Sequence, residues 1–255
     1  MLRFAASGYE GDAQSIAAAT GIPTGKSSGK VSAILNYCRG MGLVRLGGLN
    51  RSAIKKPELT PFGRTVLLED PYLKTSLSQW IAHLNLCSPI TGADAWYQVF
   101  FKNTQSLGMS FERSQLDSHL SVVYGVHKAG LIGPLIGMYQ DEAAFSICRA
   151  LVLSGSTITR TTAPLNEEYG FAYGAWLLQL FDDHLPKQGQ ISTTELDEIA
   201  GWQAIPGWDV GSYQRALALI ERKGMIEVDR HMEPWLIRPK MTTQSAWKRI
   251  FDDLL

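Results

Sequence analysis

Residues 13 to 39 carry the alternation of two short helices around a turn. In the second, Val31, Ile34, Leu35 and Cys38 recur at i, i+3, i+4 and i+7, which predicts a helix from near Ser27 or Ser28 to Arg39. The first spans 13–20, with Asp12 as N-cap and Gly21 as a left-handed stop. Ile22-Pro23-Thr24-Gly25 makes the turn between them. Gly40-Met41-Gly42 breaks the second helix. Leu43-Val44-Arg45-Leu46 predicts a strand, 47–51 a loop, and Pro57-Glu58-Leu59 a returning strand. Leu59-Thr60-Pro61-Phe62-Gly63 then opens another helix. Helix, turn, helix, strand, loop, strand is the order of a winged helix-turn-helix, whose second helix fits the major groove and whose wing reaches the adjacent backbone.

The pattern recurs near the C-terminus. A helix at 191–200 has Ser192 three residues before Glu195, a capping-box spacing. After a turn with Pro206-Gly207, Asp209 can cap a helix whose apolar positions are Tyr213, Ala216, Leu217 and Ile220. Gly224 ends it, and strands follow at 225–228 and 235–237. The helix ends match: RGMGLV at 39–44, RKGMIEV at 222–228. Between the two modules, helices are expected at 73–87, 93–102, 110–124, 142–153 and 169–181, with loops at 130–137 and 154–164. The fold expected is mainly α with small β-hairpin wings: winged helix-turn-helix modules at 1–68 and 187–255, at both ends of a helical middle domain, 69–186.

Charge changes this picture. The 255 residues carry 24 Lys+Arg and 24 Asp+Glu, which excludes a uniformly basic nucleic-acid coat. Yet residues 1–68 hold nine Lys/Arg against three Asp/Glu, 69–186 six against eleven, and 187–255 nine against ten. A basic N-terminal third beside an acidic centre points to modules with different partners. Three widely spaced cysteines give neither a disulfide scaffold nor a zinc ribbon. No apolar run is long enough for a membrane span, and Met1-Leu2-Arg3-Phe4 opens no signal peptide. A cytoplasmic protein with no membrane contact is expected.

Opposite the apolar stripe of the second helix lie Gly29, Ala33 and Asn36, flanked by Lys26, Lys30, Ser32 and Tyr37. Small residues let the helix seat deeply. Lys26 and Lys30 near its start can meet phosphate, as the helix dipole also does. Asn36 has the donor and acceptor that match adenine's major-groove edge. The loop adds Arg51, Lys55 and Lys56. In the C-terminal module Arg215 and Arg222 lie on one line of the helix, but the Trp202 and Trp208 turn suits a protein interface as well as DNA. Gly21 to Ser27 imitates a phosphate-binding loop, with its first glycine one residue too close and no preceding strand.

The stretches Leu59-Thr60-Pro61-Phe62-Gly63, Glu69-Asp70-Pro71-Tyr72-Leu73 and Trp80-Ile81-Ala82-His83-Leu84, with the aromatic cluster 96–101, resemble the bacterial family named domain of unknown function 4007. The resemblance is strongest over 43–101. The family's aromatic, basic N-terminal segment is shortened here to 1–11, and Leu84 stands where its tryptophan is expected. The resemblance implies a setting of bacterial defence or DNA modification and no particular reaction. On the residues themselves, Asp70 is expected to N-cap a helix, Pro71 to occupy its first position and Tyr72 to pack on the wing.

A search for catalytic groups finds little. His83, His119, His127, His184 and His231 fall in no metal spacing. Asp182-Asp183-His184 are adjacent and fan around a helix, and no GxSxG is present. The expectation is a non-enzymatic protein that binds double-stranded DNA without a cofactor or metal. It would be a target-recognition or regulatory subunit of a bacterial defence or mobile-element system, with a protein partner in a multi-subunit complex. The alternatives are a protein adaptor in such a complex, or a metal-dependent nuclease built from distant carboxylates.

Overall fold

The computed structural model describes residues 1–23, 29–47, 53–125, 130, 132–185 and 188–254. About half of the chain is helical, and the strands form three small antiparallel sheets. The N-terminal third contains α1 (Leu2–Ala6), α2 (Ala13–Thr20), α3 (Gly29–Gly40), β1 (Val44–Gly47), β2 (Lys56–Leu59) and α4 (Pro61–Glu69). The local signals in the sequence act as expected. Asp12 Oδ1 accepts the Ser15 N–H at 2.8 Å, and Gly21 stops α2 at φ 73°. The apolar stripe of α3 buries Val31 and Leu35 against Phe4, Ile16 and Ala17, while Cys38 meets Ala5 and Val44. β1 and β2 form an antiparallel hairpin pairing Val44 with Leu59. Gly11 and Lys55 exchange both backbone hydrogen bonds, so a short rung precedes α2 on this hairpin.

The glycine of the Thr-Pro-Phe-Gly motif has a packing cause. Thr60 Oγ1 accepts the Gly63 N–H at 2.9 Å and donates to the Gly42 carbonyl, seating the start of α4 on the end of α3. A Cβ on Gly63 would lie 1.8 Å from the Leu43 carbonyl oxygen. The Asp-Pro-Tyr-Leu motif corrects the sequence reading. Asp70 follows α4 as its C-cap, and its carboxylate accepts from Lys74 N, Thr75 N and Thr75 Oγ1, clasping the turn that leads to α5 (Ser76–Leu86). The N-cap of α5 is Thr75, Pro71 is in a turn, and Tyr72 is exposed rather than packed on the wing. A carboxylate meeting three donors serves a turn as readily as a helix start, and sequence spacing alone does not separate the two.

Beyond α5, α6 (Asp94–Tyr97) runs into a π-helical turn at Gln98–Lys102, followed by α7 (Thr104–Leu107), β3 (Ser110–Glu112), α8 (Arg113–Tyr124), α9 (Ile132–Gln140), β4 (Leu151–Ser154), β5 (Thr157–Arg160) and α10 (Gly170–His184). The middle is therefore not purely helical. The expected loop at 130–137 falls largely in α9, whose Ile132, Leu135, Ile136 and Tyr139 are buried. The expected helix at 142–153 is a run of turns entering β4, and the expected loop at 154–164 contains β5. Gly133, Pro134 and Gly137 read as loop residues by composition, but packing of the apolar positions between them overrides that preference.

The last third holds β6 (Ile191–Ser192), α11 (Thr193–Ala200), α12 (Val210–Arg222), β7 (Ile226–Asp229), β8 (Leu236–Pro239) and α13 (Thr243–Trp247). Ser192 and Asp209 cap α11 and α12 through Glu195 N and Ser212 N. Trp202 and Trp208, expected at a partner surface, are instead core. Trp202 stacks on Trp176 with centroids 5.6 Å apart, and Trp208 Nε1 donates to Ala163 O. Strand, two helices, then a hairpin occurs in both the middle and the last third, with sheet orders β3-β5-β4 and β6-β8-β7. The rung at Gly11, with β2 and β1, repeats that order in the first third.

One large core joins the middle and last thirds, from Leu43 to Ile250. At its centre is a polar chain. Trp96 Nε1 donates to Tyr139 Oη at 3.0 Å, and Tyr139 Oη lies 2.6 Å from His83 Nδ1. Burial pushes the His83 pKa from 6.5 down to about 3.

Two outcomes are expected. Gly63→Ala should destabilise the fold by about 1–3 kcal/mol or more, measured by urea unfolding, because backbone must move to admit the methyl group. His83 is neutral in the fold and takes up a proton on unfolding between pH 6.5 and about 3. Its contribution is thus fully present above pH 6.5 and is lost as pH falls, with a slope near 1.4 kcal/mol per pH unit. Unfolding midpoints across pH 4 to 7 should flatten by about one proton in His83→Gln.

Candidate nucleic-acid interface

The exposed side of α3 divides into two halves. Lys30 and Ser32, near its start, are exposed, and Lys56 is exposed at the first position of β2, opposite Gly47. Arg3, Arg39, Arg45 and Arg64 are further exposed cations of the first third. Lys55 is half-buried, with its backbone held in the rung to Gly11. Lys26 and Arg51 lie outside the described residues.

The second half of α3 borders a cleft. Asn36, Tyr37 and Arg39 form one wall of a cleft of ≈ 600 Å³, and Asp94, Trp96 and Tyr124 belong to the other. Asn36 and Arg39 remain exposed, while Tyr37 is half-buried with its ring edge-on to Trp96 at 5.7 Å between centroids. Burial raises the Tyr37 phenol. Burial, then the hydrogen bond and charge of Asp94 beside it, raises that of Tyr124. Asn36 thus sits in a cleft, which the helical periodicity had no means of revealing. Arg39 also lines a second chamber of ≈ 500 Å³ that includes Arg45 and His184. Sequence reasoning missed Arg39, Trp96 and Asp94. The signal for Arg39 was its place three residues after Asn36, on the same face of the helix.

Gly40 explains how α3 comes so close. A Cβ there would meet Leu86 Cδ1 at 2.9 Å and the backbone of Gly92 and Ala93 at 3.8 Å. Trp96, in turn, is fixed by its bond to Tyr139. The two walls are therefore positioned by a close helix approach on one side and by the buried polar chain on the other.

Several cations of the last third are paired with acids. Arg222 pairs with Glu167 at 2.6 Å, and Lys223 with Glu167 and Asp253 at 3.3 and 2.9 Å. Arg230 pairs with Glu221, and Lys240 with Glu227. Arg215 is exposed and donates to Ser212 Oγ. The groove between α11, α12 and the 233–235 segment presents Asp197, Glu198 and Glu233. The structure thus leaves Lys30, Ser32 and Lys56 exposed in the first third, and Arg215 and Arg222 in the last, the latter paired with Glu167.

No family model matches the sequence, and no curated protein matches it either. Solved structures do. Magnesium ion-bound SspB is 17% identical with a TM-score of 0.62, and SspB without that description is 18% identical with a TM-score of 0.60. In each case the match covers 89% of this chain and 76% of the other. Among the described residues no three His, Cys, Asp or Glu side chains gather as a metal site. No helix is long and apolar enough to cross a membrane. Over most of its length this chain has a fold similar to that of SspB.

Proposed function

We propose that this protein binds double-stranded DNA through winged helices and acts as a non-enzymatic target-recognition or regulatory subunit of a bacterial defence or mobile-element system. The observation that carries the reading is the contrast between the modules. Lys30, Ser32 and Lys56 are exposed on the second helix and hairpin of the first. In the last third Arg222, Lys223 and Lys240 are engaged by carboxylates, while Arg215 is exposed. Phosphate neutralisation with counterion release supplies baseline affinity for DNA, so accessible cations decide which module docks. Lys26 and Arg51 join this set on their sequence positions. The order of strand, two helices and hairpin supports the winged-helix assignment, and the resemblance to domain of unknown function 4007 supports the setting. The acidic groove at Asp197, Glu198 and Glu233 gives the C-terminal module the character of a partner-binding element rather than a DNA reader.

The magnesium-bound relative favours a second reading, a metal-dependent nuclease. Incubation of supercoiled plasmid with magnesium, with and without chelator, separates the two. Chelator-sensitive nicking would establish the nuclease; intact plasmid retained in a gel-shifted complex fits the binding subunit.

Removing Lys30 and Lys56 together as alanines should weaken binding to every duplex sequence. It should also reduce the slope of log affinity against log salt by roughly 1.8, two phosphates' worth. Arg215→Ala with Arg222→Ala should change both by less. Fluorescence anisotropy over a salt series measures this; the opposite ranking would reverse the assignment of modules.

A further inference from the structure

The cleft behind α3 is too small for a duplex, yet it lies on the helix that the DNA reading brings to DNA. Its volume of ≈ 600 Å³ falls within the roughly 300–1,000 Å³ of small-ligand sites. Its walls combine a tyrosine ring, a carboxylate, an amide and a cation. Trp96 is buried and meets Tyr37 edge to face, so the half-buried Tyr37 ring is the surface on which a flat ligand can lie. Asn36 offers a donor and an acceptor. Asp94 is exposed and stands beside the Tyr124 hydroxyl. Arg39 is exposed at the boundary with the adjoining chamber, has no ion pair among the described residues, and has Arg45 in that chamber.

We propose that this cleft is a binding site for a single deoxynucleotide, presented unpaired by bound DNA. The base stacks on the half-buried Tyr37 ring, which Trp96 backs from the core, and its phosphate meets Arg39. This rests on the DNA-binding reading for the source of the nucleotide, but not for the chemistry of the site. An aromatic ring with polar groups around it, in a cleft of this size, is how proteins hold a base taken out of the stack. The carboxylate sets a preference. Guanine alone places two adjacent donors, N1–H and the N2 amino group, on the edge that a carboxylate can accept from. Thymine offers one donor between two carbonyls that the carboxylate repels. Asp94 therefore favours guanine and disfavours thymine.

Titration calorimetry of the full chain with dGMP and dTMP tests the site without relying on a duplex. Saturable dGMP binding is expected, at least tenfold tighter than dTMP, with Asp94→Asn shrinking that ratio. Arg39→Ala should weaken dGMP at least tenfold. Thr91→Trp, at an exposed position lining the cleft, should block dGMP while leaving fully paired duplex binding unchanged. A duplex carrying one unpaired guanosine should bind the wild type more tightly than its paired counterpart, and Thr91→Trp should erase that difference. Absence of dGMP binding, or binding indifferent to both Thr91→Trp and Arg39→Ala, overturns the proposal. Loss of all duplex binding at low salt with dGMP binding intact overturns the DNA reading and leaves the nucleotide site standing.

Discussion

The buried chain from Trp96 through Tyr139 to His83 is the constraint on which the cleft depends. Each polar atom in it would be costly unpaired in so apolar a core. Trp96 donates to the Tyr139 hydroxyl, which in turn pairs with His83 Nδ1, so two buried hydrogen bonds tie the three rings together. The tyrosine comes from α9, the histidine from α5 and the tryptophan from α6. Three elements distant in sequence are thereby locked together, and the face of Trp96 that Tyr37 touches is set by them. His83 belongs to the motif that suggested a family resemblance, and its role here is to hold the core rather than to react.

Features fixed by neighbours in sequence are legible from the residues alone. Asp12, Ser192 and Asp209 cap helices through donors three residues on, and such bonds need nothing distant. The paired helix ends at 39–44 and 222–228 are visible for the same reason. What escapes is fixed at long range. Helix α9 is broken by Gly133, Pro134 and Gly137 in composition, and it exists because its apolar positions join the central core. Reading it as a loop conceals the third run of strand, helices and hairpin. Trp202 and Trp208 resemble partner-facing residues because turns are usually at the surface, but this turn is folded under Trp176 and Tyr173. Of the candidate interface, the charged half is readable from composition. The cleft is not, because its second wall comes from residues some sixty positions further along the chain.

The charge asymmetry in the sequence has a clear physical counterpart. In the last third, basic and acidic residues are nearly equal in number and largely satisfy one another on the surface. Individually such exposed pairs add little stability, about 0–1 kcal/mol. Their consequence is electrostatic: a surface of paired charges presents a weak field to a polyanion. The first third keeps its exposed Lys30 and Lys56 outside such pairs among the described residues.

The cleft has walls from different cores. Helix α3 is anchored mainly by the small clusters around Val31, Leu35 and Cys38, whereas the segment facing it belongs to the large core. Its width is thus set by how these clusters pack together, closely where Gly40 meets Leu86. Anything that fills the gap binds only while both walls are in place. By mass action, each tenfold of its concentration above the dissociation constant holds that junction shut by a further 1.4 kcal/mol or so. Occupancy of a small pocket thereby becomes a mechanical link, stiffening the attachment of the first third to the remainder of the protein.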